Sequence, residues 1–214
     1  MHARIFKLDA FTARPFAGNP AAVMLLEQFP DDDVLQALAA ENNLPETAFV
    51  VAVGQDYRIR WFTPQVEVPL CGHATLASAA VIFERLEPHG DTLRFLSASG
   101  PLTVRRAGRG YAMDFPARRC TPMAPPPGLA EALARDPQEV LWDGSNILAR
   151  LQTADAVRAL APDLAALARL PAAGVIVTAA GEDGYDIVSR YFAPAKGIPE
   201  DPVTGGAHCG LTPY

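Results

Sequence analysis

The sequence has few cysteines and no long apolar run, and each shortage excludes a class of protein. Three cysteines are an odd number without framework spacing, which argues against a disulfide-stapled secreted domain. No apolar run approaches the roughly 20 residues that span a bilayer. Residues 1–9 alternate apolar and polar residues instead of forming a signal-peptide core. We therefore expect a cytoplasmic protein with no membrane partner.

The chain also lacks clusters of positive charge. Its formal net charge is −6, and acidic and basic residues are mixed along the whole sequence. The longest basic clusters are the pairs Arg105-Arg106 and Arg118-Arg119, so nucleic acid is not an expected partner. The sequence motifs of phosphate-binding loops, serine hydrolases and zinc metalloproteases are absent.

The apolar half of the 214 residues is enough to bury a core, and its pattern predicts mixed α and β structure. An alanine-rich stretch from residue 72 to about 86 is helical by composition. Alternation and β-branched or aromatic content predict strands at 4–10, 46–52, 58–63, 139–142, 146–151, 173–179 and 185–192.

Proline marks a boundary near the middle of the chain. Five prolines lie between Pro116 and Gly128, three of them consecutive. This composition predicts a semi-rigid linker at 116–130, between a first domain of residues 1–115 and a second of residues 131–214.

Two segments share the pattern arginine, aromatic, phenylalanine, any residue, proline: Arg60–Pro64 and Arg190–Pro194. Each has another proline five residues later, Pro69 or Pro199, and then a glycine that leads into small residues. The repeat predicts a duplicated unit that runs strand, turn, helix start. Two unrelated strand-to-helix turns are the alternative. Two helix starts that face each other would bind a carboxylate.

Two carboxylates are candidates for chemistry. Glu46 lies in a polar, turn-forming stretch before an apolar strand, at the expected edge of a cleft, where a carboxylate could take up a proton and return it. A solvated strand end is its alternative role. Asp201 precedes the second helix start, where capping is the alternative.

Zinc-binding residue types lie near the two helix starts: Cys71, His73, His208 and Cys209. Neighbouring residues on a helix diverge by about 100°, so His208 and Cys209 do not easily share one metal. We therefore expect no metal, and a hydrogen-bonding role for His73.

Four segments occur in order along the chain: residues 9–11 with 16–23, 43–50, 62–77 and 191–214. Together they resemble the PhzF-like family of phenazine-biosynthesis isomerases, in the diaminopimelate-epimerase-like superfamily. The resemblance implies an α+β fold with two similar halves, each a curved mixed sheet wrapped around a central helix. Because members of that family continue for some tens of residues more, the resemblance also implies a truncated C-terminus and an incomplete second half.

The resemblance assigns roles to residues that match the family motifs. It implies that Glu46 carries the proton, that His73 and Asp201 orient a small carboxylate substrate, and that no cofactor takes part. Backbone amides at Gly72, Gly205 and Gly206 would hold the substrate carboxylate, although the family usually has serine in place of Gly206.

Related epimerases and proline racemases use a pair of cysteines, one at each helix start. Here Cys71 matches the first position and Thr204 the second, which favours single-glutamate isomerisation. Two alternatives stay open: a Cys71-dependent racemase or epimerase, and a non-catalytic protein that binds small carboxylates or other partners. Open strand edges in an incomplete second half would favour a homodimer. Phenazine biosynthesis is one of several pathways that such a protein could serve.

Overall fold

The computed structural model describes residues 3–86 and 90–214 and divides into two compact units, Met1–Pro116 and Ala117–Tyr214. Within the stretch expected to be a linker, Thr121–Pro122 forms a short strand and a helix begins at Leu129. Among the described residues, no helix combines the length and the apolar character needed to cross a membrane.

In its described residues, 3–86 and 90–116, the first unit contains eight strands and two helices. In chain order they are β1 (Arg4–Ala10), β2 (Asn19–Leu26), α1 (Asp32–Asn42), β3 (Glu46–Val53), β4 (Asp56–Phe62), β5 (Glu67–Val68), α2 (Gly72–Arg85), β6 (Thr92–Ser97), β7 (Gly100–Ala107) and β8 (Gly110–Met113).

The sheet of the first unit curves around α2. Its strand order is β1-β2-β3-β4-β6-β7-β8, with β5 paired to β4, and the pairs β2/β3 and β4/β6 are parallel. The two edge strands, β1 and β8, both contact α2, as do β2 and β3. Small residues let the strands approach the helix closely, and α2 is buried from Gly72 to Phe83 except at Leu76. This accounts for the alanine-rich composition that predicted the helix.

The second unit contains six strands and four helices. They are β9 (Thr121–Pro122), α3 (Leu129–Leu133), β10 (Glu139–Trp142), β11 (Ile147–Arg150), α4 (Ala154–Arg158), α5 (Leu164–Leu167), β12 (Val175–Ala180), β13 (Ile187–Ala193), β14 (Ile198–Asp201) and α6 (Gly205–Leu211).

Both faces of the second sheet, of order β14-β13-β12-β11-β10-β9, are covered by helices. Val140 and Val177 pack on one face with residues of α3, α4 and α5, whereas Leu141 and Ile176 pack on the other with α6. Successive side chains of a strand point to opposite faces. The near-continuous apolar runs in these strands therefore follow from burial on both sides.

The predicted duplication is confirmed by the strand pairing. The order β1, β2, α1, β3, β4, β5, α2 recurs as β10, β11, α4 with α5, β12, β13, β14, α6. In both units the first pair is antiparallel, the second parallel, and the third and fourth antiparallel.

The repeated arginine makes the same contacts in each unit. Arg60 forms two hydrogen bonds with Glu67, at 2.8 and 2.7 Å, and Arg190 forms two with Glu200, at 2.7 and 2.8 Å. Each guanidinium also lies over the phenylalanine two residues later, 5.1 and 4.9 Å from the ring centre. These bidentate pairs tie β4 to β5 and β13 to β14.

The two equivalent arginine–glutamate pairs correct one detail of the predicted repeat. Pro69 follows Glu67 by two residues, and the proline two residues after Glu200 is Pro202, not Pro199. The second unit has three more residues between its arginine and glutamate, and a short 3₁₀ helix at Pro194–Lys196 lies within this segment. The equal spacing to Pro199 was therefore a coincidence.

Candidate active site

Glu46 is the first residue of β3, and its side chain is buried, with 7% of the residue exposed. Asn43, at the end of α1, adopts the left-handed backbone conformation with φ 47° and turns the chain towards β3. Parallel pairing with β2 sets Ala21 beside Glu46. The Asn42 side-chain amide donates to Thr47 Oγ1 at 3.1 Å, which fixes the start of β3 to the end of α1.

The second residue of α2, His73, lies against Glu46. Its Nε2 atom is 3.4 Å from Glu46 Oε2, and its Nδ1 atom is 3.5 Å from Cys71 Sγ. All three residues are buried, His73 with only 4% exposed. We call Glu46, Cys71 and His73 the donor cluster.

Burial lowers the pKa of His73 to about 4, because the charged imidazolium loses its hydration inside the first unit. An interaction with the Pro20 backbone acts in the opposite direction and is the smaller effect. At neutral pH the ring is therefore uncharged. It can donate or accept a hydrogen bond beside Glu46 without neutralising that carboxylate.

Gly72, the first residue of α2, lies against the ring of Phe115. A Cβ atom at Gly72 would overlap this ring, with Phe115 Cζ as the nearest atom. The glycine of the motif is thus required here by packing within the first unit.

Asp201, Gly205 and Gly206 all belong to the second unit. Asp201 ends β14 and accepts a hydrogen bond from the Val203 backbone at 3.4 Å. A pocket of about 130 Å³ is lined by Asp201, Thr204 and His208, among others. Thr204 Oγ1 is shielded from solvent and forms no hydrogen bond within the described part of the chain.

The donor cluster is present in one copy of the duplicated unit. Thr47 and Val175 occupy equivalent positions, because each faces the phenylalanine of the repeated motif across its strand pair. The preceding residue is Glu46 in the first unit and Gly174 in the second.

The helix starts differ in the same way. Cys71 and Thr204 are the residues before α2 and α6, and neither caps its helix through the side chain. The second helical residue is His73 in the first unit and Gly206 in the second. The second unit thus carries none of the three donors at the equivalent positions.

Sequence reasoning left two neighbours of the cluster without a role. Asn19, at the start of β2, is fully buried, and Pro20 follows it and interacts with His73. In the sequence, the pattern that could have identified them is an asparagine followed by a proline at the start of an apolar strand. The contact between Glu46 and His73 had no local signal, since it depends on the packing of α2 against β3.

The family model described as phenazine biosynthesis-like protein matches residues 8–214. The chain belongs to the PhzC/PhzF family. Two relatives from Pseudomonas aeruginosa, both described as uncharacterized isomerases, are 51% and 54% identical over 214 residues, which are 100% of this chain and 82% of theirs. A human phenazine biosynthesis-like domain-containing protein is 40% identical over 98% of this chain and 82% of its own. The names of the bacterial relatives support an isomerase function.

Solved structures of PhzF family members have the same fold. A family member from Enterococcus faecalis aligns with a TM-score of 0.91 and 44% identity, over 100% of this chain and 82% of its own. A probable proline racemase from Agrobacterium radiobacter aligns with a TM-score of 0.59 and 10% identity, over 94% and 72%, and shows the fold alone. The expected α+β fold of the diaminopimelate-epimerase type is confirmed.

The same alignments bear on the expected truncation. They span the whole of this chain and about four fifths of the PhzF relatives. The expectation that the C-terminus is truncated relative to the family is not supported by these matches.

Proposed function

We propose that the chain is a cofactor-independent isomerase that moves a proton within a small carboxylate-bearing substrate. Glu46 takes a proton from one carbon, and the electron pair of the broken C–H bond enters the conjugated system of the substrate. The resulting carboxylic acid then returns a proton to a second carbon. The observation that carries this proposal is the burial of Glu46 beside His73.

A carboxylate suits both halves of this reaction. General acid–base catalysis requires one group that is a base in the first step and an acid in the second, within hydrogen-bond reach of the substrate. Glu46 begins a strand that is paired on both sides, so its backbone position is fixed. A fixed base loses little entropy when the substrate binds.

His73 is proposed to orient the substrate and Glu46 without exchanging protons at neutral pH. Its pKa of about 4 keeps the ring neutral. A protonated histidine 3.4 Å from Glu46 would stabilise the carboxylate and weaken it as a base. A neutral ring avoids this and still offers a hydrogen bond.

In the second unit, Asp201 and the backbone amides of Gly205 and Gly206 are proposed to bind polar groups of a small carboxylate. In the first unit, the backbone amide of Gly72 is proposed for the same role. The pocket beside Asp201 and Thr204 has room for a carboxylate-sized group. The unsatisfied Thr204 Oγ1 favours a polar occupant, because a buried hydroxyl without a partner is costly.

A racemase with one thiol at each helix start is the less favoured function. Thr204 stands where such an enzyme would need its second cysteine, and a threonine hydroxyl is a far weaker acid than a thiol. A single carboxylate that both removes and returns the proton needs no second base.

The test is incorporation of solvent deuterium, followed by mass spectrometry, into a panel of small unsaturated amino and hydroxy acids. We expect exchange into at least one compound, with Glu46→Gln slowing it by at least about 100-fold, the usual contribution of a general acid–base group. Glu41→Gln, which changes an exposed glutamate of α1, is the matched control and should keep the wild-type rate.

Full exchange in folded Glu46→Gln would refute the proposal. Folded wild-type protein that binds a compound of the panel tightly and never exchanges its protons would instead favour the non-catalytic binding protein.

A further inference from the structure

The donor cluster combines three kinds of metal ligand. A thiol from Cys71, an imidazole from His73 and a carboxylate from Glu46 each offer one ligand atom, and these atoms lie within 4.8 Å of one another. Among the described residues, no other set of three or more histidine, cysteine and acidic side chains is so arranged.

We propose that the donor cluster binds one thiophilic divalent cation, with Zn²⁺ as the best match. Sulfur, nitrogen and oxygen donors together suit zinc, whereas magnesium and calcium prefer oxygen alone. The sequence did not predict this site because Glu46, distant in the chain from Cys71 and His73, was never considered as a partner for them.

The three donors lie near enough to one another to reach one zinc ion after side-chain movement. Zinc–ligand bonds of about 2.0–2.3 Å in a tetrahedron separate the ligand atoms by about 3.3–3.8 Å. Glu46 Oε2 is 3.4 Å from His73 Nε2, and Cys71 Sγ is 3.5 Å from His73 Nδ1. A single zinc ion uses one ring nitrogen of His73, whereas the carboxylate and the thiol contact different ring nitrogens. Side-chain rotation must therefore bring both donors to the same nitrogen, starting from ligand atoms that lie within 4.8 Å of one another.

A second observation points to the same place. His73 Nε2 is completely shielded from solvent and makes no hydrogen bond of normal geometry within the described ranges. His73 is 4% exposed and lies in a buried helix, and its Nε2 atom faces Glu46. Such a nitrogen gives up no hydrogen bond of normal geometry when it becomes a ligand.

Metal binding would change the proposed isomerase reaction. The proposal that the donor cluster binds a metal does not depend on that reaction. Cys71 would lose its thiol proton to solvent as the metal–sulfur bond forms. The bound metal would be coordinated by the Glu46 carboxylate, which could then no longer accept the substrate proton. This consequence rests on the proposed function. Three protein ligands leave a fourth position for water or a carboxylate.

The binding is tested without any substrate. Purified protein, freed of metal by chelator and dialysis, is titrated with Zn²⁺ in a calorimeter and with Co²⁺ in a spectrophotometer. We expect one equivalent to bind and a thiolate-to-cobalt charge-transfer band to appear. Cys71→Ser should abolish that band and weaken Zn²⁺ binding by more than about tenfold, since even outer-shell partners of a metal contribute 10- to 100-fold.

Two further variants complete the design. Cys120→Ser, which alters a partly exposed cysteine outside the cluster, should bind like wild type. Glu46→Gln, nearly identical in shape to the wild type, should also lose affinity, which covers the case in which Cys71→Ser does not fold. The proposal is overturned if wild type binds no Zn²⁺, or if folded Cys71→Ser and Glu46→Gln bind it as wild type does. Deuterium exchange without zinc binding would overturn this inference and leave the proposed function intact.

Discussion

His73 is held neutral at the centre of the donor cluster, and this has a consequence for stability. Its pKa is about 4 in the folded protein, against an ordinary value of 6.5. Between pH 6.5 and pH 4 the unfolded chain binds a proton at this residue that the folded chain does not. The free energy of unfolding must therefore fall as the pH is lowered through this window.

The size of this effect follows from the shift. One pKa unit corresponds to about 1.4 kcal/mol, so His73 should account for a loss of about 3 kcal/mol between neutral pH and pH 4. Urea denaturation of wild type and His73→Asn at several pH values measures it as the difference between the two profiles.

His208, exposed on α6, provides the matched control for this experiment. His208→Asn removes an imidazole that is not buried, and its pH profile should differ from that of wild type by less than the profile of His73→Asn does. Parallel profiles of wild type and His73→Asn would show that burial does not hold His73 neutral.

Helices α2 and α6 begin with equivalent glycine-containing turns, yet their glycines have different reasons to be small. A methyl group at Gly72 would meet the ring of Phe115, whereas one at Gly206 would have no atom within 4 Å. We expect Gly72→Ala to destabilise the protein by about 1–3 kcal/mol through overpacking. Gly206→Ala should leave the stability unchanged or raise it by up to about 1 kcal/mol, because alanine favours helix.

Thermal and urea denaturation of the two alanine variants side by side make this comparison. Equal destabilisation by both substitutions would mean that the contact with Phe115 does not explain the glycine at residue 72.

The two repeated arginines fix equivalent strand pairs but differ in what else they bind. Arg190 donates to the carbonyls of Val157 and Leu160, at 3.1 and 2.6 Å, near the end of α4. Arg60 instead reaches Asp32, which is exposed. Arg190→Met would leave the partly buried Leu160 carbonyl without its arginine donor, so we expect it to cost about 2 kcal/mol. Arg60→Met should cost about 1 kcal/mol or less.

Urea denaturation curves of both methionine variants test this difference. A larger loss of stability for Arg60→Met than for Arg190→Met would contradict the roles assigned to the two arginines.

The long elements could be predicted because their patterns are local. The strand over residues 4–10 was predicted with the bounds that the structure gives, and the alanine-rich α2 nearly so. The two-residue strands β5 and β9 were missed, since so short a segment carries no periodicity. The strand β14 was missed because it contains Pro199, and proline argues against a strand. Asp201 was expected only to precede the second helix start, and it ends β14.

The sequence predicts which residues belong to the candidate site, but it does not predict which of them contact each other. The motif around Cys71 and His73 singles out a helix start. Its contact with Glu46 depends on strand register, which one sequence does not reveal. The burial that lowers the pKa of His73 likewise comes from the curved sheet around α2.

The whole molecule is a duplicated fold in which one copy carries the donor cluster. Glu46, Cys71 and His73 correspond to Gly174, Thr204 and Gly206 in the second unit. Symmetric two-base chemistry would call for equivalent acid–base groups in both copies. The difference between the copies fits a reaction in which a single residue removes and returns the proton.

The most direct test of this account compares initial rates of solvent deuterium incorporation in wild type, Glu46→Gln and Cys71→Ser, with any compound that wild type exchanges. Loss of at least about 100-fold in Glu46→Gln, with Cys71→Ser within about tenfold of wild type, is predicted, because Cys71 contacts His73 but does not carry the proton. An inactive, folded Cys71→Ser beside an active Glu46→Gln would contradict the account and identify the thiol as the base.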